Sequence, residues 1–222
     1  GYELDKLIVR DKNGNTIKLT EKDENKFTFK MPGSRVEVEA SFILIGTKPE
    51  IGFADVPADA YYAGAVRWAV SEGITSGTSA VTFAPNAACT RAQMVTFLWR
   101  ASGSPVVDYA MNFTDVPADA YYAEAVRWAV SEGITTGTSA TTFNPDATVS
   151  RGQTVTFLYR AAGSPAVSGS SFADVSADAY YADAVAWAVS EDITTGTSGT
   201  TFSPDHACTR AQIVTFLYRD VK

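Results

Sequence analysis

Three arginines recur at one place in a repeated motif. They are Arg91 in Cys89-Thr-Arg-Ala-Gln93, Arg151 in Val149-Ser-Arg-Gly-Gln153 and Arg210 in Cys208-Thr-Arg-Ala-Gln212. Thr or Ser followed three residues later by Gln marks a helix start: the hydroxyl accepts from the third helical amide, and the Gln side chain reaches back to the cap amide. Cys89, Val149 and Cys208 precede the caps and face Met94, Thr154 and Ile213, in the arrangement of a hydrophobic staple. Thr154 makes the poorest staple of the three. This explains the neighbours of each arginine but not the arginine itself, which stands in the first helical turn, where the dipole disfavours a cation. A guanidinium beside free helix-terminal amides can hold an anion. The alternative is an ion pair to a neighbouring copy through Asp55, Asp115 or Asp174.

Other chemistry is sparse. His206 is the sole histidine and has no Cys or Glu at ligand spacing, so it reads as an exposed loop residue. The repeated acids Asp55 and Asp59 precede a helix and read as caps and turns, not as a glycosidase pair. There is no EF-hand spacing, no phosphate-binding glycine motif and no nucleophile–base set. No enzymatic activity, metal or cofactor is expected. Cys89 and Cys208 hold equivalent positions, where the middle copy has Val149, so free, buried thiols are expected. Arg100, Arg160 and Arg219 sit at helix C-termini, where the dipole favours them, and read as structural.

The elements that must position the three arginines repeat with them. Phe-x-Asp-Val starts copies at Phe53, Phe113 and Phe172, a period long enough for one supersecondary unit per copy. A unit this small buries little apolar surface alone, so the copies, 53–104, 113–164 and 172–222, are expected to pack together. Each predicts a first helix, Tyr61–Glu72 in copy one, with Asp59 as N-cap and Gly73 as stop. A Gly/Thr/Ser loop and a second helix, Arg91–Ala101, follow.

Residues 1–46 predict four strands, at Leu7–Arg10, Thr16–Leu19, Lys26–Lys30 and Arg35–Phe42, with a turn at Asn13-Gly14. These make a small antiparallel β segment of meander type. Its pattern resembles the second half of an internalin-B-type repeat, a β-module of bacterial surface proteins. Residues 47–52 read as a linker.

The 222 residues carry a net charge of −7, concentrated in the repeats, and this excludes a general nucleic-acid binder. No apolar run reaches the ~18 residues of a spanning helix, so no membrane insertion is expected. From Glu50 onward every base but Lys222 is Arg, whose planar fork suits carboxylate or phosphate. The chain opens mid-pattern at Gly1-Tyr2-Glu3 and reads as part of something larger.

Three copies of Phe-x-Asp-Val, an aromatic pair, Ala-Val, Gly/Asp-Ile-Thr-x-Gly, Phe-x-Pro and Thr-Arg-Ala-x resemble the S-layer homology family. The resemblance implies a mainly α fold: a pseudo-threefold spindle with a central helix bundle. It implies non-covalent anchoring at the bacterial surface, in the cell wall or S-layer, through a secondary cell-wall polysaccharide. That glycan is often pyruvylated and would bind in grooves between repeats. The family's ligand-contacting Arg carries over to Arg91, Arg151 and Arg210. Its Glu is Gln in all three copies. Its Trp is Tyr61, Tyr121 and Tyr180, which offer a sugar a flat face or serve as packing residues. Its Asp-Gly loop is Ala80-Val81, Ala140-Thr141 and Gly199-Thr200, leaving Ser79, Ser139 and Ser198 as polar contacts. The alternative is a structural or self-assembly module with its arginines in internal ion pairs, and the β segment could itself self-associate.

Overall fold

The computed structural model describes residues 2–23, 26–44, 52–169 and 172–221. The chain divides into two compact units that part between Gly52 and Phe53. The predicted linker falls, apart from Gly52, outside the described residues.

In the first unit β1 (Tyr2–Arg10) pairs antiparallel with β4 (Glu37–Leu44), and β2 (Leu19–Asp23) pairs with β3 (Lys26–Phe29). The connectivity is one hairpin nested in another, not the meander expected. The Asn13-Gly14 turn does form, with Gly14 at φ 85° and its amide on the Asp11 carbonyl. Beyond the Arg10–Thr16 bridge, however, the chain leaves β1, and the second strand begins at Leu19. The long run around Arg35–Phe42 satisfies more of the β1 backbone than Thr16–Leu19 could.

The second unit holds six helices among the described residues. First helices are α1 (Ala63–Ser71), α3 (Ala123–Ser131) and α5 (Ala182–Ser190). Second helices are α2 (Arg91–Ala101), α4 (Arg151–Ala161) and α6 (Arg210–Asp220). The first helix starts at Ala63, not Tyr61, and Asp59 does not cap it. Asp59 lies inside a turn closed by the Ala60 amide on the Pro57 carbonyl, and a second turn, Ala63 on Ala60, delivers the chain to an N-cap at Tyr62. The stop at Gly73 is as expected. Its φ of 69° and the bonds Gly73 N to Val70 O and Ile74 N to Ala69 O form a Schellman ending. In copy three Asp192 takes the same left-handed conformation, at φ 59°.

The loop after each first helix returns under the start of its own copy. The Asp55 carboxylate accepts from the amides of Phe83 (2.8 Å) and Ala84 (2.7 Å), and Asp115 and Asp174 repeat this on Phe143-Asn144 and Phe202-Ser203. These bonds hold Ala84 in a left-handed conformation, φ 57°, that costs a non-glycine residue about 1–2 kcal/mol. They also fix Phe83, Phe143 and Phe202, which are fully buried. Burying such a ring contributes about 1.5–3 kcal/mol. Gly77, at φ 87°, passes beneath Phe53, and a Cβ there would meet the Phe53 ring at 2.5 Å.

The copies join in a ring. Helices α2, α4 and α6 touch one another at the centre, while α2 packs on α3, α4 on α5 and α6 on α1. This is the expected pseudo-threefold bundle. At the axis the Cys89 amide donates to the Cys208 carbonyl, Cys208 to Val149 and Val149 to Cys89, at 2.9–3.0 Å. Both thiols are unpaired and fully buried, as expected. Burial pushes Cys89 up to about 12 and Cys208 to about 11.

Candidate functional site

The second helices begin as their sequence dictates. Thr90, Ser150 and Thr209 each accept from the N3 amide of Gln93, Gln153 and Gln212. Each Gln Oε1 in turn accepts from the cap amide, at 3.1–3.2 Å. The amides ahead of N3 are not free. Arg91 N donates to Ala147 O and Ala92 N to Pro145 O of copy two, and the same bonds run from copy two to three and from three to one. An anion therefore finds no helix-terminal amides here, contrary to the sequence-based expectation, because the seam between copies has already used them.

The guanidinium groups cross the same seams. Arg91 Nε donates to the Phe143 carbonyl at 2.9 Å, Arg151 to Phe202 at 2.9 Å and Arg210 to Phe83 at 2.8 Å. Each lies over the ring of that same Phe at 4.7–4.8 Å and over a Phe of the next second helix at 5.3–5.5 Å. Cation–π stacking and a carbonyl thus offset the unfavourable dipole. The expected alternative, ion pairing to Asp55, Asp115 or Asp174, is not what forms: those carboxylates are occupied by backbone amides. The three arginines are 3–4% exposed, and each keeps one buried nitrogen, Nη2, without a hydrogen-bond partner. Burial pulls all three guanidinium pKa values down.

Arg210 and Arg151 each line a groove to which all three copies contribute. One groove, of about 330 Å³, takes Thr75–Thr78, Gln93 and Arg100 from copy one, Tyr121 from copy two and Arg210 from copy three. A second, of about 200 Å³, takes Thr194–Gly196, Gln212 and Arg219 from copy three, Tyr61 from copy one and Arg151 from copy two. At the remaining seam the equivalent residues are Arg91, Tyr180, Gln153 and Arg160, and the charge of Arg91 is felt at Tyr180. Two guanidinium groups and no carboxylate line each of the two grooves, on a chain with a net charge of −7.

Tyr121 and Tyr61 line the two grooves, and all three predicted tyrosines are open to solvent. Tyr61, Tyr121 and Tyr180 are 68%, 61% and 63% exposed, each braced edge-on by the tyrosine that follows at 4.9–5.0 Å. The predicted serines lie elsewhere. Ser79, Ser139 and Ser198 bond Thr82, Thr142 and Thr201 at 2.6–2.7 Å and accept from amides at the loop tips. They line neither groove; Ser76 and Thr195 do. Arg100, Arg160 and Arg219 carry more than the dipole contact expected of them. Each donates Nη1 to an Ile carbonyl 26 residues back, at 3.0–3.1 Å, and Arg100 and Arg219 face the grooves. Their recurrence could have marked them, since a dipole contact alone does not require Arg over Lys.

The profile of the S-layer homology domain matches residues 52–95, 112–155 and 171–214, more than half of the chain. The chain belongs to the S-layer homology domain family. It is similar to the Surface-layer 125 kDa protein of Lysinibacillus sphaericus, 37% identical over 97 residues, which are 44% of this chain and 8% of that protein. It is also similar to a Cell surface protein of Thermoanaerobacter kivui, 30% identical over 139 residues, which are 58% of this chain and 18% of that protein. The chain thus spans under a fifth of either relative. With three S-layer homology domains, it is a cell-surface protein associated with the cell wall. None of its described helices is long and apolar enough to cross a membrane.

Proposed function

We propose that the grooves bind an acidic secondary cell-wall polysaccharide, and that this holds the protein to the wall without a covalent bond. The observation that carries this is the unpaired Nη2 of Arg91, Arg151 and Arg210. A buried donor without a partner costs about 1–3 kcal/mol. The cost is tolerated three times, at the seams between copies, two of which open into the grooves, and a carboxylate on the glycan, such as a pyruvate ketal, would relieve it. Tyr61, Tyr121 and Tyr180 would each take a sugar face. Ser79, Ser139 and Ser198, outside the groove linings, would meet only sugars that run past the grooves. A structural module with arginines in internal ion pairs is disfavoured, because no described carboxylate pairs with them. Self-association through the N-terminal strands is a separate element of the proposal.

Calorimetry against purified wall polysaccharide tests it, with the acidic groups intact and removed. Binding should fall with their removal and with rising salt. Arg→Lys at position 91, 151 or 210 keeps the charge but cannot bond the Phe carbonyl and a ligand together. Each such change should weaken its own groove about ten- to a hundredfold, from the ~1.5–3 kcal/mol of a bond to a charged group. Equal binding of both polymers overturns the proposal.

A further inference from the structure

Strand β4 is an open edge. Among the described residues it is hydrogen-bonded to one strand, β1, in a two-stranded sheet. Such an edge offers a row of backbone donors and acceptors to a further strand, and proteins commonly blunt it with Lys, Pro or a bulge. β4 reads Glu-Val-Glu-Ala-Ser-Phe-Ile-Leu and holds neither Lys nor Pro. The irregularity in the ladder lies on the other strand, between Leu4 and Lys6.

One face of this sheet is open along the same strand. Leu4, Leu7 and Val9 stand opposite Phe42, Ala40 and Val38, and residues directly opposite share a face. Val9 is 1% exposed, yet Val38 beside it is 57% and Phe42 61% exposed, and Ala40 between them is exposed as well. The apolar face is thus covered at Val9 on β1 and bare along β4. Two strands alone are marginal in water, and a stable sheet needs three or more with an apolar face.

We infer that β4 pairs antiparallel with β4 of a second copy of this chain, centred on Ala40, to give one sheet in the order β1-β4-β4-β1. This rests on the self-association element of the proposal above and fixes its strand and its register. The charges of β4 select the partner. Both its acids, Glu37 and Glu39, lie in its first half, and none follows. An antiparallel pairing lays the acidic half of each strand against the uncharged half of the other. Registers centred on Val38 or Glu39 would set glutamate opposite glutamate, as would a parallel pairing in register, and like charges directly opposite are destabilising. Centring on Ala40 avoids this. It sets Val38 of each copy opposite Phe42 of the other, a favourable pairing of a β-branched with an aromatic side chain. The two bare faces then become one.

Sedimentation equilibrium of the whole chain, from micromolar to millimolar, tests this. The parent should pass from monomer to dimer as concentration rises. Ala40→Lys sets two ammonium groups against each other at the twofold axis and should abolish the dimer over that range. Val106→Lys changes a side chain that is 83% exposed in the other unit and should leave the dimer intact. Ala40→Cys reads the register. A bismaleimide shorter than the ~14 Å that would separate the two Val38 positions should link Ala40→Cys to itself and fail to link Val38→Cys to itself. Cys89 and Cys208 are buried and do not compete. A parent that stays monomeric throughout overturns self-association and this inference with it. A dimer that survives Ala40→Lys, or one that Ala40→Cys fails to link, overturns the inference and leaves self-association standing. If circular dichroism shows that Ala40→Lys unsettles the strands, the smaller Ala40→Cys change decides.

Discussion

Replacing Asp55 by Asn should loosen one loop and, through it, one groove. The carboxylate now makes two charge-assisted bonds, to Phe83 N at 2.8 Å and Ala84 N at 2.7 Å. Asn keeps one acceptor and turns an NH₂ toward the other amide. One bond to a charged group, worth about 1.5–3 kcal/mol, is lost, and the other falls to the ~0.5–1.5 kcal/mol of a neutral pair. Release of the left-handed strain at Ala84 returns part of this, and Asp55 is half-exposed, so a net loss of about 2 kcal/mol is expected. All four tryptophans lie in the repeats, so urea unfolding followed by tryptophan fluorescence reports on this unit. The pH dependence has a definite sign. Burial raises the Asp55 pKa, but the amides of Phe83 and Ala84, with the more distant charge of Arg210, hold it below the ordinary aspartate value. Its stabilisation is therefore complete above the unfolded value of ~3.9 and lost as pH falls through the folded one. The gap between parent and Asp55→Asn should be open at pH 7 and close below about pH 4. Phe83 also presents the carbonyl that receives Arg210 Nε, so ligand binding should weaken in the groove lined by Arg210 and persist in the one lined by Arg151. A variant within about 0.5 kcal/mol of the parent at pH 7, or a gap that is the same at pH 3 and 7, refutes the reasoning.

Copy one alone, residues 53–104, should not fold, because the amides of Cys89, Arg91 and Ala92 and the carbonyl of Phe83 all find their partners in other copies; a cooperative melt by circular dichroism near that of the whole chain would contradict this. Without reductant, a thiol reagent should leave the native chain untouched and find two groups in denaturant, since Cys89 and Cys208 are buried and held far above the ordinary thiol pKa. Gly152→Ala should raise stability by roughly 0.5 kcal/mol, read by thermal melting. The added Cβ meets Tyr181 at 3.0 Å, but Ala92 and Ala211 make the same backbone bond at the other two seams. A loss of stability would show that this seam cannot shift to admit it.

What the sequence displayed was local. The bounds of α2, the capping boxes and the Gly73 ending depend on residues a few positions apart, and they were legible because short-range rules govern them. Asp55, Asp115 and Asp174 stand in turns, as their sequence suggests, but the partners of their carboxylates lie 28 and 29 positions on, beyond any local rule. At the three arginines the local rules are broken. Their partners are Phe carbonyls in another copy, 51 to 127 residues away, and no spacing rule reaches so far. The same seams spend the helix-terminal amides, so the anion site is carried by side chains and not by the helix end. In the N-terminal unit the turn was legible and the pairing was not, since strand partners are decided by competition between segments.

The ring of Cys89, Val149 and Cys208 has a consequence for how such a body can change in evolution. A linear stack can gain or lose a unit at either end, provided its terminal units are capped. Here the third copy closes on the first with the same bonds that join the others. There is no end at which a fourth copy could dock, and removing one breaks two seams and leaves one. Growth by a single copy is therefore barred, and the assembly can be multiplied only in whole sets of three.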